Sequence, residues 1–231
     1  HCQRQDRLFI CDGDAMIIPQ KRLVNILQRV KERLPWVQRV GLYANTKSIA
    51  MKTDDQLKEL HDLGVKIAYM GLESGDDHIL KQIKKGADSS KMIKMGKRVK
   101  QAGIQLSITV LNGLGGRKNS VRHAMETGRV LSAIDPDFVG ALTLMLVPGT
   151  ELYDQHEKGD FELMNPEEML EELGLMIGST HLSNGLFHAN HASNYLPIRA
   201  KLPEEKEKTL EKISQALKGK TALKPEYMRA L

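Results

Sequence analysis

Cysteine is nearly missing from this chain of 231 residues, which has only Cys2 and Cys11. Two thiols cannot build the disulfide framework of a small secreted domain, and they point to a reducing compartment, most simply the cytoplasm. Aromatic residues are scarce too, at 4% of the chain, so any core must be mainly aliphatic. No apolar run approaches the ~18–20 residues of a membrane-crossing helix, so no membrane partner is expected. The opening residues, HCQRQDR, lack both an initiator Met and the apolar centre of a signal peptide. They run within seven residues into a strand-like stretch, and a fragment of a longer protein is the expectation.

What is present suits a sizeable α/β core, as one large domain or two small ones. The formal charge of +5 permits nucleic acid or another anionic partner without demanding one. Much of the excess lies on helix-patterned segments, in Lys81, Lys84, Lys85, Lys91, Lys94, Lys97, Arg98 and Lys100. It reads as solvated helix surface.

The organising stretch is Val65 to Gly75. An apolar strand (Ile67, Ala68, Tyr69, Met70, Leu72) ends abruptly in Glu73-Ser74-Gly75 and gives way to a helical pattern. The same grammar repeats. RLFIC at 7–11 ends in Asp12-Gly13-Asp14-Ala15, and a helix follows with Leu23, Ile26, Leu27, Val30 and Leu34 as its stripe. A second strand spans 37–44. Thr53 and Gln56 have capping-box spacing ahead of Leu57, Leu60 and Leu63. Helices are expected over 76–85 and 89–102, then a strand over 105–111 followed by NGLGG, a helix over 119–133 and a fifth strand over 138–146. Regular βα alternation implies parallel strands with right-handed crossovers. Polar residues end every strand, which favours an incomplete (β/α) barrel over a doubly wound sheet. Beyond Thr150 the pattern changes, so residues 1–155 read as the partial barrel and 156–231 as a helical extension. Asn165-Pro166-Glu167-Glu168 opens one helix. A polar, irregular stretch carries His188, Asn190, His191, Ser193 and Asn194, a last helix starts near Pro203, and the tail after Gly219 reads as loose.

Several strand ends carry chemistry. The Asp12-Gly13-Asp14 carboxylates suit a ligand ammonium or a hard cation, or simply a turn that caps the next helix. Glu73 with Ser74 suits hydroxyl or amino groups, or a helix cap. NGLGG suits backbone N–H contacts to an anion or close approach to a ligand, or a tight loop; it matches neither a Walker loop nor a dinucleotide fingerprint. His123 and His181 fall on predicted helices and His188 and His191 lie three apart. All four read as surface or supporting histidines rather than metal ligands. No catalytic residue is assigned.

Together, DGDA, GLESG, ITVLNGLGG and LTLMLVPGT, in that order at the ends of successive strands, resemble the radical S-adenosylmethionine (SAM) enzymes. The likeness is greatest to the branch of elongator-type and oxygen-independent coproporphyrinogen-oxidase-like members, and spans 7–217. HANHASNYLP also resembles a C-terminal signature of that branch. The resemblance implies a (β/α)6 barrel. It also implies SAM as cofactor, with Asp12, Gly13 and Asp14 on the methionine amino group and Glu73 and Ser74 on the ribose or methionyl part. Thr109, Asn112 and Gly113 would lie near the adenine and its sugar, with Leu146 and Val147 offering backbone to adenine. It further implies a [4Fe-4S] cluster and an electron donor such as flavodoxin or ferredoxin.

One departure stands out. The family's Cys-x-x-x-Cys-x-x-Cys loop does not occur in this sequence, and Cys2 and Cys11 are wrongly spaced for it. The expectation is that the first βα unit is missing, and that the chain as given holds no cluster and does not turn over. The first strand would then have an unpaired edge open to pairing with another chain. The rival readings are a barrel enzyme for a phosphorylated small molecule and a non-catalytic scaffold that has lost the cluster.

Overall fold

Residues 5–230 are described by a computed structural model. The fold is α/β, with seven strands in sheet order β1 to β7 following the sequence. The chain divides into two compact units, residues 1–71 with 90–108 and residues 72–89 with 109–231, so the division runs through the third and fourth strands.

The first unit begins with β1 (Arg7–Ile10), a 3-10 turn at Ala15–Ile17 and α1 (Gln20–Arg33). Then come β2 (Arg39–Tyr43), α2 (Thr46–Ala50), α3 (Asp54–Asp62) and β3 (Val65–Glu73), with α5 (Ser89–Gln101) and β4 (Gln105–Asn112) later in sequence. β1 pairs with β2 and β2 with β3, both parallel. β1 ends the sheet order, so its far edge is unpaired among the described residues, as the sequence implied. Leu23 and Leu27 of α1 and Leu57 and Leu60 of α3 are fully buried, which is the apolar stripe at work. Each such leucine contributes roughly 1.5–3 kcal/mol. Thr53 and Gln56 form their capping box at the head of α3. The short α2 escaped sequence reading because it has no apolar period; Asn45 and Ser48 box its N-terminus instead. At its other end Arg98 donates to the carbonyls of Ile49 and Lys52 and pairs with Asp54, a cation placed where the helix leaves its carbonyls bare. Phe9, Tyr43 and Tyr69 meet edge to face, with ring centroids 5.0 to 5.9 Å apart.

The second unit holds α4 (Asp77–Gln82), α6 (Gly116–Ile134), β5 (Phe138–Thr143), α7 (Glu151–Glu157) and α8 (Pro166–Ser179). β6 (Gly185–Ala189), β7 (Ile198–Leu202) and α9 (Lys206–Leu217) complete it. The Asn165–Glu168 capping box forms as its spacing requires. Four expectations need correction. The polar stretch after α8 is not irregular throughout: it contains β6, parallel to β5, and β7 returns antiparallel to β6. His181 lies beyond α8 rather than on it, because the helix stops at Ser179. A helix, α7, capped by Thr150, follows β5. The tail is held: Arg229 donates to the carbonyls of Ser193 and Leu144 and lies 4.1 Å over the Tyr195 ring. Ser193 and Asn194, both buried, bond Thr143 at the end of β5.

Gly75 shows how closely the turn after β3 meets α6. A Cβ there would lie 2.3 Å from the Glu126 carbonyl oxygen and 2.6 Å from Thr127 Cα. Gly75→Ala should therefore lower the urea midpoint by the equivalent of ~1–3 kcal/mol. Gly13→Ala, whose Cβ meets nothing within 4 Å, should leave it nearly unchanged.

Candidate functional site

In the first unit the DGD turn follows β1. Asp12 and Gly13 are exposed, while the Asp14 carboxylate is folded in, both oxygens enclosed and without a hydrogen-bond partner. Burial, aided by the Asp12 charge, pushes the Asp14 pKa up; the Ser48 hydroxyl and the Asn45 backbone, near the carboxylate but outside hydrogen-bond geometry, and the Lys52 charge pull it down. Lys52 is buried with its amine on the Ile18 carbonyl at 2.6 Å. Its pKa is pushed down by burial, and Asp14 opposes this. An enclosed carboxylate with two open acceptor oxygens is a costly arrangement without a ligand. It fits an ammonium group. Cys11, one residue past the strand, is exposed and free; Cys2 lies outside the described residues.

In the second unit two strand ends are tied together by buried polar groups. Glu73, the last residue of β3, has φ 62°, a left-handed conformation that costs a non-glycine residue ~1–3 kcal/mol. Its carboxylate pairs with Lys85 at 3.0 Å. Ser74 is fully buried; its hydroxyl bonds His123 Nδ1 at 2.9 Å and accepts the Asp76 amide. His123 Nε2 faces the Leu111 carbonyl at 3.2 Å. A carbonyl can only accept, so Nε2 carries the proton and Nδ1 accepts from Ser74. Burial holds the His123 pKa down at about 4, so the ring is neutral.

Beside it, 3.6 Å from Nε2, lies Glu172 of α8. Its Oε1 accepts the Gly113 amide, and its Oε2 is enclosed without a partner. Burial pushes its pKa up to about 7. Gly113 has φ 91°, and a Cβ would strike the Met169 sulfur at 2.5 Å, so only glycine fits. Asn112 donates to the Met169 carbonyl and its own carbonyl receives the Leu144 amide; its Oδ1 is enclosed and unpartnered. It lines a cavity of about 10 Å³, room for about one water. Thr109 is half-buried on β4, Leu146 is half-buried and Val147 exposed after β5.

Ser74 and Gly113 are thus joined through His123 and Glu172, Asn112 is tied separately to Met169 and Leu144, and Glu73 stands at the tip next to Ser74. The sequence reading did not single out Glu172 or Lys52, and had His123 only as surface or supporting. The available signal was positional: Glu172 occupies the apolar stripe of Met169, Leu173 and Met176, where a carboxylate is out of place. The anion reading of NGLGG is overturned in large part, because the amides of Gly113, Leu114, Gly116 and Arg117 are already bonded to protein acceptors. No group of three or more His, Cys, Asp or Glu that could hold a metal occurs among the described residues. None of their helices is long and apolar enough to cross a membrane.

A family model for the radical SAM superfamily matches residues 3–130, more than half of the chain. The chain belongs to the radical SAM superfamily. It is 26% identical over 192 residues to an uncharacterized protein of Methanocaldococcus jannaschii, covering 80% of this chain and 58% of that one. It is also 26% identical over 121 residues to the tRNA uridine(34) acetyltransferase of Methanocaldococcus infernus, 52% of this chain and 22% of that one. Its fold is shared with Methanocaldococcus infernus Elp3 lacking residues 1–46, at TM-score 0.59 and 17% identity, covering 93% of this chain and 54% of that one. Coproporphyrinogen III oxidase (HemN) of Escherichia coli matches at TM-score 0.58 and 13% identity, over 75% of this chain and 39% of that one. The chain therefore spans between about a fifth and three-fifths of the length of these relatives.

The superfamily implies SAM and a [4Fe-4S] cluster. The enclosed, unpartnered Asp14 carboxylate fits the SAM amino group. The cluster has no fitting ligand set among the described residues, where Cys11 is the one cysteine.

The two buried titrations have opposite signs. Glu172, raised from 4.5 to about 7, favours the folded state below about 4.5, and this is lost as pH rises through about 7. His123, lowered from 6.5 to about 4, favours it above about 6.5, and this is lost as pH falls toward about 4. Glu172→Gln should therefore gain stability relative to wild type as pH rises from 4.5 to 7. His123→Asn should lose it over its own window. Denaturant midpoints measured against pH read both.

Proposed function

We propose that this chain supplies the SAM-binding and substrate-side part of a radical SAM enzyme. The observation that carries the reading is Asp14: a carboxylate with both oxygens enclosed and unsatisfied, at the end of the strand that bears the DGDA motif. Asp14, with Asp12, takes the amino group of SAM, exchanging an unmet acceptor for a charge-assisted hydrogen bond. Lys52 limits how much negative charge the turn presents, so one ammonium suffices. Glu73 accepts from a ribose hydroxyl or the methionyl part, at the price of opening its pair with Lys85. Thr109 faces the sugar, and the backbone of Gly113, Leu146 and Val147 lies against adenine. Ser74 and Asn112 enter as braces: their side chains are buried and hold the turns that carry Glu73 and Gly113. When bound, SAM supplies the 5′-deoxyadenosyl group that serves the superfamily for hydrogen abstraction.

Cluster binding, the reductant (a flavodoxin or ferredoxin) and the substrate belong to the intact protein and are part of this proposal. So are its cytoplasmic location and any pairing of chains through the β1 edge. The phosphate-binding rival loses support because the Gly113, Leu114 and Gly116 amides of NGLGG are occupied.

Calorimetry of SAM with the full-length protein tests the reading. Asp14→Asn and Glu73→Gln should each weaken SAM by about tenfold, the loss of one charge-assisted bond. Wild-type affinity should also fall on acidification, because a protonated Asp14 cannot meet an ammonium. Unchanged affinity in both variants would sink the assignment.

A further inference from the structure

β6 and β7 place two polar side chains together that neither the fold nor the SAM site uses. His188 stands opposite Arg199 in the antiparallel pair, so both leave the sheet on one face. Gly140 of β5 stands beside His188 in the parallel pair, on the same face. The other face is apolar and covered: Phe187, Ala189, Ile198, Ala200 and Leu202 are buried, and α9 packs on β7.

His188 Nε2 is enclosed and has no hydrogen-bond partner. Burial, then the charge of Arg199, lowers the pKa of the ring, so His188 is neutral at pH 7. No carboxylate pairs with Arg199 among the described residues. Lys201, two residues along on the same face, is already engaged by Glu204. On the same face there is room over Gly140, where a Cβ would meet nothing within 4 Å.

These features do not stabilise the fold. An enclosed ring nitrogen without a partner is destabilising, and a guanidinium beside it lowers its basicity. They make sense as a receptor. An oxyanion accepts two parallel bonds from a guanidinium and a third from a neutral imidazole N–H, and it supplies the negative charge that the pair lacks. A cationic ligand is repelled by Arg199, and an apolar one leaves the Nε2 group unmet.

We propose that His188 and Arg199 bind a carboxylate or phosphate group of the substrate, which enters over Gly140. The assignment to a substrate rests on the radical SAM reading; the anion site itself does not.

The test is an NMR titration of the full-length protein with sodium acetate and, separately, inorganic phosphate, followed at the His188 ring and the Arg199 side chain. At least one anion should bind saturably and raise the His188 pKa, and the tighter of the two names the group. Arg199→Gln should weaken that binding by about tenfold or more, and Arg199→Lys by less. Gly140→Val should abolish it without lowering the unfolding midpoint, because the new side chain fills open space. Linear, unsaturated shifts with both anions, or equal affinity in Arg199→Gln, overturn the proposal. SAM added to the same samples separates the two readings. Protein that binds SAM but no anion overturns this proposal alone. Protein that binds the anion but not SAM keeps the site and overturns its assignment to a SAM-dependent reaction.

Discussion

Polar groups removed from water must find one another, and in the second unit that constraint settles on one neutral histidine. His123 accepts a hydrogen bond from Ser74 on one nitrogen and donates one to the Leu111 carbonyl from the other. Those two bonds connect α6 to the end of β3 and to the end of β4. Glu172 adds a third link, from α8 to the Gly113 amide. Hydrogen bonds of this kind are worth about 1 kcal/mol each in net terms, but leaving one half unmet costs more. The geometry is therefore held less by what the bonds add than by what their loss would take away.

The consequences reach the candidate site. Glu73 can keep an unfavourable backbone conformation because the residues after it are pinned, Ser74 by His123 and Gly75 by the Thr127 hydroxyl at 2.9 Å. Gly113 can keep its positive φ because Glu172 holds its amide and Met169 closes over it. A strained acidic tip on a rigid base is what a binding site requires, since positioning is lost when the supporting shell is loose. The DGD turn of the first unit works differently. There the strain is electrostatic, an enclosed carboxylate near a partly neutralising lysine, the kind of strain that the proposed ligand amine would relieve.

Much of the fold was legible because it rests on local rules. The βα alternation, the caps Thr53–Gln56 and Asn165–Glu168 and the glycine-ended strands all leave marks at fixed spacing. What escaped rests on distant partners. IRAKL alternates cleanly between apolar and charged residues, yet it follows a stretch rich in His, Ser and Asn, of which Ser193 and Asn194 turn out to be buried against β5. The tail reads as loose because nothing in its own sequence announces that Arg229 reaches the Leu144 carbonyl, 85 residues away. The site divides the same way. Its acids and glycines sit at strand ends and could be named, whereas His123, Glu172 and Lys52 act through residues far off in sequence. Glu172 alone left a trace, as a carboxylate in an apolar stripe.

The account turns on Gly113 being held by a buried carboxylate, and its amide proton reports this directly. In the NMR spectrum of the full-length protein that proton should be shifted downfield, slow to exchange with solvent, and should move with an apparent pKa near 7, set by Glu172. A Gly113 amide that exchanges like an open loop and ignores pH between 5 and 8 would contradict it.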